Sequence, residues 1–356
     1  MRLLLTALTI TLLASQISNA QTNQQTAKEK GKQAIQLEDE GKFDEALKLL
    51  DEAQKLDPEN ITYPYEATYA YYNQKKYDKV ITILEKLKDR PDSFDRLYQL
   101  LGNSYDVIGK EDKAIATYEE GLKKFPKSGC LYLERGVIPL GKNNFNDAIN
   151  YFEKGIEVEP AFPSNYYWAA RLYCGSDDEM WGMLYGEIFM NLEPASRRTV
   201  EISKLLYDTY KSQIKFTAPN KVSVSFSKTA TINVTDIAKF KLPFSTIYEP
   251  ALSIAVAPEK EIDLASLNRI RSSFIQYYYQ NNFDQKYPNA LFDYQNQMLK
   301  AGQLEAYNYW VLMKGDEAAF TAWQQANNEK WQSFLHYKID NPIKLTDTNH
   351  FFRRQY

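Results

Sequence analysis

Residues 95–126 read DRLYQLLGNSYDVIGKEDKAIATYEEGLKKFP, and the spacing of their apolar and small residues decides the architecture. Tyr98, Leu101, Gly102 and Tyr105 share one face of a 3.6-residue helix, and Ala114, Tyr118 and Gly121 share one face of a second. Gly109 and Lys110 separate the two stripes. Pro126 closes the second, because proline cannot continue a helix interior. The pattern predicts two antiparallel helices joined by a short turn. Gly102 and Ala114 mark the closest approach of their axes, where a larger side chain would hold the helices apart.

The same unit recurs. Pro58, Pro91, Pro126, Pro160 and Pro194 are separated by 33, 35, 34 and 34 residues. Second-helix stripes precede them at Phe43, Ala46, Leu50 and Ala53, at Tyr77, Val80, Leu84 and Leu87, and at Phe145, Ala148, Phe152 and Gly155. A fifth set, Gly182, Gly186 and Phe189, keeps the phase but is degraded. First helices are less regular. Lys30 stands where a large apolar residue is usual, and Pro64 falls in a first turn, where it is tolerated. Pro139 is expected to end or bend its helix early. Tyr166, Ala169, Ala170 and Tyr173 make a well-formed stripe.

A bulky residue, Leu-Gly, Tyr, then Ala, an aromatic and Pro within 34 residues resembles the tetratricopeptide repeat (TPR). The resemblance covers residues 27–194 as five units: 27–60, 61–93, 94–128, 129–162 and 163–195. It implies a mostly α-helical protein, a solenoid of helical hairpins. The chain as a whole resembles secreted TPR proteins of Gram-negative bacteria that carry a C-terminal region of no assigned activity.

After Pro194 the period stops. Val200, Leu205, Leu206, Tyr210 and Ile214 suggest one more amphipathic helix, able to cover the end of a repeat stack. Val222, Val224 and Phe226 then alternate with serines, and Ile232 and Val234 alternate with Asn233 and Thr235, predicting a β-hairpin. Helical stripes return at Leu264–Tyr278 with Asp263 as N-cap, at Leu291–Met298, at Leu304–Val311, at Phe320–Trp323 with Asp316 as cap, and at Trp331–Leu335. Residues 196–345 are expected to form a separate helical α+β domain and 346–356 a loose tail.

Residues 1–20 differ from the rest. Arg2 precedes a largely apolar run from Leu3 to Ile17, and Ser18-Asn19-Ala20 offers small residues before Gln21. This is the pattern of a secretory signal peptide, cleaved near Ala20. The run is shorter than the ~20 residues that span a bilayer, and no later run is long enough, so no integral membrane segment is expected after removal. The expected location is the periplasm or the cell exterior. Residues 21–26, all Gln, Thr or Asn, are expected to be disordered.

The chain has 356 residues, is 44% hydrophobic and 25% charged, and carries a formal charge of -3, as for a globular protein with no basic surface for nucleic acid. Cys130 and Cys174 are its only cysteines. Repeat register offsets them by ten residues, about 15 Å along parallel helices, beyond the ~7 Å reach of a disulfide. They are expected to remain buried thiols.

No motif supplies chemistry. His336 and His350 are the only histidines, and HExxH, paired CxxC, GxSxG, GxGxxG and phosphate-loop patterns are all missing. No metal, cofactor or catalytic residue is expected. One enzymatic alternative concerns the C-terminal domain, which would bind or hydrolyse carbohydrate. Glu305 near Trp310, and Asp316 with Glu317 near Trp323, could pair carboxylates about 5–10 Å apart in an aromatic cleft. Asp316 and Glu317 also suit a helix N-terminus, and the tryptophans suit a core.

The TPR resemblance implies that positions 2, 5, 9 and 12 of each first helix face a concave groove. These are Tyr65, Tyr69 and Tyr72 in repeat 2, Arg96, Gln99, Asn103 and Asp106 in repeat 3, and Tyr167 and Arg171 in repeat 5. Tyrosines and amides in that pattern suit a peptide or protein partner. The carboxylate clamp of some TPR proteins is not carried over: Asn103 matches it, but the facing lysines are missing and repeat 4 offers Cys130 and Glu134. The reading is a non-enzymatic exported scaffold. Self-capping of the groove, or self-assembly through the fifth repeat, are the competing roles.

Overall fold

The computed structural model describes residues 2–218, 221–227 and 243–355. The chain is mostly helical and divides into two compact units, Met1–Pro126 and Lys127–Tyr356. The first contains α1 (Arg2–Asp39), α2 (Phe43–Leu56), α3 (Thr62–Asn73), α4 (Tyr77–Leu87), α5 (Asp95–Val107) and α6 (Glu111–Lys124). The second contains α7 (Gly129–Gly141), α8 (Phe145–Val158), α9 (Pro163–Cys174), α10 (Glu179–Leu192) and α11 (Arg197–Gln213). There follow β1 (Ile214–Ala218), β2 (Lys221–Val224), α12 (Ser245–Val256), α13 (Leu264–Gln280), α14 (Phe283–Lys286), α15 (Ala290–Lys300), α16 (Leu304–Leu312), α17 (Glu317–Ala326) and α18 (Asn328–Asp340).

The helices from α1 to α10 pair as five hairpins, and each of the five period-marking prolines lies in the turn after a second helix. Four of the hairpins close alike. Gly41, Lys75, Gly109 and Asn143, 34 residues apart, hold positive φ of 76°, 59°, 75° and 57°. The next amide then reaches back across the turn: Lys42 to the Leu37 carbonyl, Lys76 to Tyr71, Lys110 to Tyr105 and Asn144 to Pro139, at 2.7–2.9 Å. This left-handed closure satisfies carbonyls that a helix end leaves open. Pro139 does not stop α7 early; the helix runs on to Gly141, and the proline's carbonyl serves the closure.

Side-chain volume is balanced across each hairpin. A Cβ on Gly102 would lie 2.1 Å from the ring of Tyr118, and one on Gly136 would lie 2.4 Å from the ring of Phe152. The equivalent pairs in register are Ala34 with Leu50 and Thr68 with Leu84, all buried. The fifth pair is Ala170 with Gly186, where a Cβ on the glycine would meet Ala170 at 3.5 Å. Glycine faces an aromatic ring, and a small side chain faces leucine, so the helix spacing is preserved.

The break between units falls after the third repeat rather than after residue 195, because repeats four and five share one core with everything that follows. At the centre of that core is α10. Its residues from Glu179 to Asn191 are all buried, which accounts for the nearly unbroken apolar sequence and the weak repeat signature. Arg271 of α13 donates through Nη1 (2.8 Å) and Nη2 (2.6 Å) to the two carboxylate oxygens of Glu187, and through Nε to Asn308 of α16 at 2.8 Å. The Tyr210 hydroxyl and the Gln295 amide complete the cluster.

Several C-terminal helices form where the stripes predicted. The caps Asp263 and Asp316 accept from the Ser266 amide at 2.6 Å and the Ala319 amide at 3.0 Å. Three expectations fail. Residues 21–26 are not disordered but continue α1, with Thr26 bonded back to the Thr22 carbonyl at 2.9 Å. The partner of Val222 and Val224 is the segment from Ile214, expected as helix, which pairs antiparallel as Ile214 with Val224 and Phe216 with Val222. Ile232 and Val234, expected as the second strand, lie outside the described residues. The tail is not loose. Phe351 is fully buried and stacks on Trp181 with ring centroids 5.5 Å apart. Arg353 grips Glu153 with two bonds of 2.9 and 3.0 Å. Helix α12 carried no signal in the sequence reading.

Two outcomes test this packing. Gly136→Ala should destabilise the protein by about 1–3 kcal/mol, and adding Phe152→Leu should recover most of that loss, as read from urea denaturation of both single variants and the double. Arg353→Ala leaves Glu153, which is 1% exposed, with the Tyr173 and Tyr185 hydroxyls and the more distant Arg354 at 3.7 Å. It should cost about 2–3 kcal/mol, below the ~3–5 of a fully buried pair because the arginine remains partly hydrated, measured the same way.

Candidate functional site

The three first helices of the Met1–Pro126 unit carry the repeat-register positions at strict 34-residue intervals. They read Lys28, Thr62 and Arg96, then Gly31, Tyr65 and Gln99, then Ile35, Tyr69 and Asn103, and last Glu38, Tyr72 and Asp106. The rows place a basic edge and an acidic edge about 15 Å apart along the helices, with apolar and amide groups between. Ile35 (41% exposed) and Tyr69 (48%) are among the few large hydrophobic side chains that reach solvent.

The expected residues of repeats 2 and 3 behave differently from one another. Tyr65 is half-buried, edge-on to Phe94 at 4.8 Å, and Tyr72 is edge-on to Tyr77 at 5.2 Å. Arg96 is exposed and donates to Gln99 at 3.1 Å. Asn103 accepts the Tyr118 hydroxyl at 2.5 Å, so it braces the hairpin as well as facing the surface. Asp106 is exposed. Tyr167 and Arg171 belong to the other unit, where Tyr167 is buried and Arg171 is exposed. Tyr167 is 6% exposed, donates to Glu201 of α11 at 2.7 Å and accepts from Arg171 at 3.1 Å, while Arg171 pairs with Glu201 at 3.0 Å. Helix α11 covers what the repeat pattern alone marks as groove.

The contribution of α1 was missed, although the 34-residue offset from Thr62, Tyr65, Tyr69 and Tyr72 points to it; Lys30 obscured that first helix. Lys28, Gly31 and Ile35 line a cleft of about 550 Å³ with Thr62, Tyr63 and Glu66 of α3. That volume is typical of ligand pockets. Next to Ile35 by one turn, Glu38 is 6% exposed, and its Oε1 has no hydrogen-bond partner among the described residues. Burial, then the like charges of Glu66 and Asp39, push its carboxyl up to about 8. Burial also raises Glu66.

In the C-terminal half the three suspected carboxylates have structural work. Asp316 caps α17, and Glu317 pairs with Lys314 at 2.9 Å. Glu305 accepts from Trp323 at 3.0 Å and Lys330 at 2.8 Å. Burial pushes Glu305 up, but those bonds hold it below the usual carboxylate range. Trp310 and Trp323 are both core residues. Cys130 and Cys174 are thiols, the first fully buried, and burial pushes Cys174 up to about 12. No helix among the described residues is long and apolar enough to cross a membrane.

Comparison with known proteins places the repeats. One tetratricopeptide-repeat family model matches residues 37–104, and a second matches 95–126 and 131–162. Tetratricopeptide repeat protein 21B of Mus musculus is 29% identical over 119 residues, 33% of this chain and 9% of that protein. The Hsp70-Hsp90 organising protein of Plasmodium falciparum is 35% identical over 88 residues, 23% of this chain and 16% of that one. The chain thus spans only a small part of either relative. Among solved structures, a thermophilic TPR protein of Thermus thermophilus is 17% identical with a TM-score of 0.43, over 51% of this chain and 98% of that one. PilW, a type IV pilus biogenesis factor, is 16% identical with a TM-score of 0.41, over 53% and 86%. Paired helices in 34-residue register, proline-marked joints and the matches over residues 37–126 and 131–162 together show that this part of the chain is built of tetratricopeptide repeats.

Proposed function

We propose that the chain is an exported, non-enzymatic scaffold that holds a peptide or protein segment against α1, α3 and α5. The observation that carries this reading is the open row of Ile35 and Tyr69 beside the cleft on α1 and α3. Exposed aliphatic and aromatic groups, flanked by a basic edge and an acidic edge, suit a chain with alternating apolar and charged side chains. Tetratricopeptide repeats support a protein-binding role in general. Export rests on the charged start, apolar run and small-residue site of residues 1–20.

Tyr69→Ala and Ile35→Asp change exposed side chains and leave the hairpins intact. Each should cut capture of envelope proteins on the immobilised chain by about tenfold or more, the loss expected of a central contact residue. Capture equal to wild type in both would overturn the groove. Asn103→Ala is a poorer test, because it strips the Tyr118 hydroxyl of its acceptor. For export, the chain expressed in a Gram-negative host should be released by osmotic shock with Gln21 as its first residue by N-terminal sequencing. An uncleaved chain in the spheroplast fraction would refute it.

A further inference from the structure

Lys28, Lys32, Ile35 and Asp39 follow one another along α1 at intervals of 4, 3 and 4 residues, so they form a single helical stripe, and all four are exposed. Base, base, aliphatic and acid succeed each other along it. Helix α5 keeps the order in repeat register, with Arg96 toward one end and Asp106 toward the other, both exposed. Tyr69 of α3 holds the register position of Ile35. Among the described residues Lys28, Lys32, Asp39 and Asp106 make no ion pair, whereas Lys30, on another face of α1, pairs with Glu52 at 2.6 Å. The acids that share the cleft with the two lysines do not take them up: Asp57 accepts from Asn60 at 3.0 Å, and Glu66 is half-buried.

The dimensions of this surface select its occupant. Asp39 lies seven residues beyond Lys32 and Asp106 ten beyond Arg96, about 10 and 15 Å along the helices. An α-helix with its side chains is about 10–12 Å across, so one laid over α1, α3 and α5 meets the apolar row with one face and both charged edges with its flanks. A single extended strand fills a lane of only about 5 Å and leaves one edge unmet. The first helices are closely spaced: a Cβ on Gly31 of α1 would lie 2.9 Å from the Tyr63 ring of α3. Helices packed this closely stand about 8–10 Å apart, which is roughly two turns of a helix crossing them. We propose that the segment held against α1, α3 and α5 is an amphipathic α-helix, its apolar stripe on Ile35 and Tyr69, its acidic flank facing Lys28 and Lys32 and its basic flank facing Asp39 and Asp106. The proposal rests on the groove reading above and names the class of segment it selects. Opposite charges on the two flanks also fix the direction of the helix, because turning it end for end would set like charges together.

The test is selection from a random octadecapeptide library displayed on phage, panned against the full chain. A helix of that length, about 27 Å, crosses all three first helices. Recovered sequences should share apolar residues at helical spacing, with Asp or Glu along one side of that stripe and Lys or Arg along the other. A synthetic peptide of the shared sequence should gain helical circular dichroism on binding, and a proline at its centre should weaken binding at least tenfold. Lys28→Glu combined with Lys32→Glu should also weaken it at least tenfold, and a peptide whose acidic flank is rewritten as lysine should recover the loss. That recovery shows that the double variant is folded.

A shared sequence that alternates with period two, or one indifferent to the central proline, overturns the helix and leaves the groove where Ile35→Asp still abolishes binding. Helical binders that the lysine double variant holds as tightly as wild type overturn the charged flanks, and with them the proposal. Binders indifferent to Ile35→Asp, or no shared sequence at all, overturn the helix and the groove together.

Discussion

Close contact between the two helices of each hairpin is the constraint on which the rest depends. Where the first helix carries glycine, at 102 and 136, the second presents an aromatic ring, Tyr118 or Phe152. Where it carries alanine or threonine, at 34 and 68, the second presents Leu50 or Leu84. Total volume at the contact is held nearly constant while its division between the helices varies. The axes can then keep one spacing through successive units, and neighbouring hairpins can stack in register. The left-handed residue at 41, 75, 109 and 143 fixes the other degree of freedom, the angle at which the second helix leaves the turn.

The fifth hairpin departs from this rule for a reason visible in its neighbours. Gly186 gives up the large side chain that would have faced Ala170, and a Cβ there would also press on Ile202 and Leu206 of α11 at 3.2 and 3.0 Å. Helix α10 is thus enclosed on several sides. Enclosure would leave the Glu187 charge without water, and Arg271 and Gln295 take water's place around it, with the Tyr210 hydroxyl accepting from Arg271. Such a cluster adds little net stability over an apolar core, but breaking one partner is expensive, so it selects one arrangement of α10, α11, α13 and α15. The docked C-terminal segment does the same on another side, where Glu153 receives Tyr173 and Tyr185 as well as Arg353.

The two units treat their groove positions in opposite ways. In the first, Ile35 and Tyr69 stay open and Glu38 is left short of a donor. In the second, Tyr167 is buried and bonded to Glu201, and Arg171 pairs with Glu201 at the surface. Open, underpaired groups identify a surface that gains by acquiring a partner, whereas a satisfied network has nothing further to gain.

Local pattern alone determined the hairpins, their 34-residue phase, the proline joints and most C-terminal helices, since each of these depends on residues within a turn or one repeat. Tyr69, Arg96 and Asp106, which the repeat resemblance implied face a groove, are exposed. Local pattern was silent on the burial of Glu38, because nothing in a helical stripe says which acidic residue the next repeat will cover. It misplaced the tail, which docks through Arg353 onto Glu153 across 200 residues of sequence. It read Ile214 as helix because an apolar residue at helical spacing looks the same in either state until a second strand arrives to pair with it. Contacts between neighbouring repeats are written as periodicity; contacts between distant segments have no period, and only the folded chain decides them.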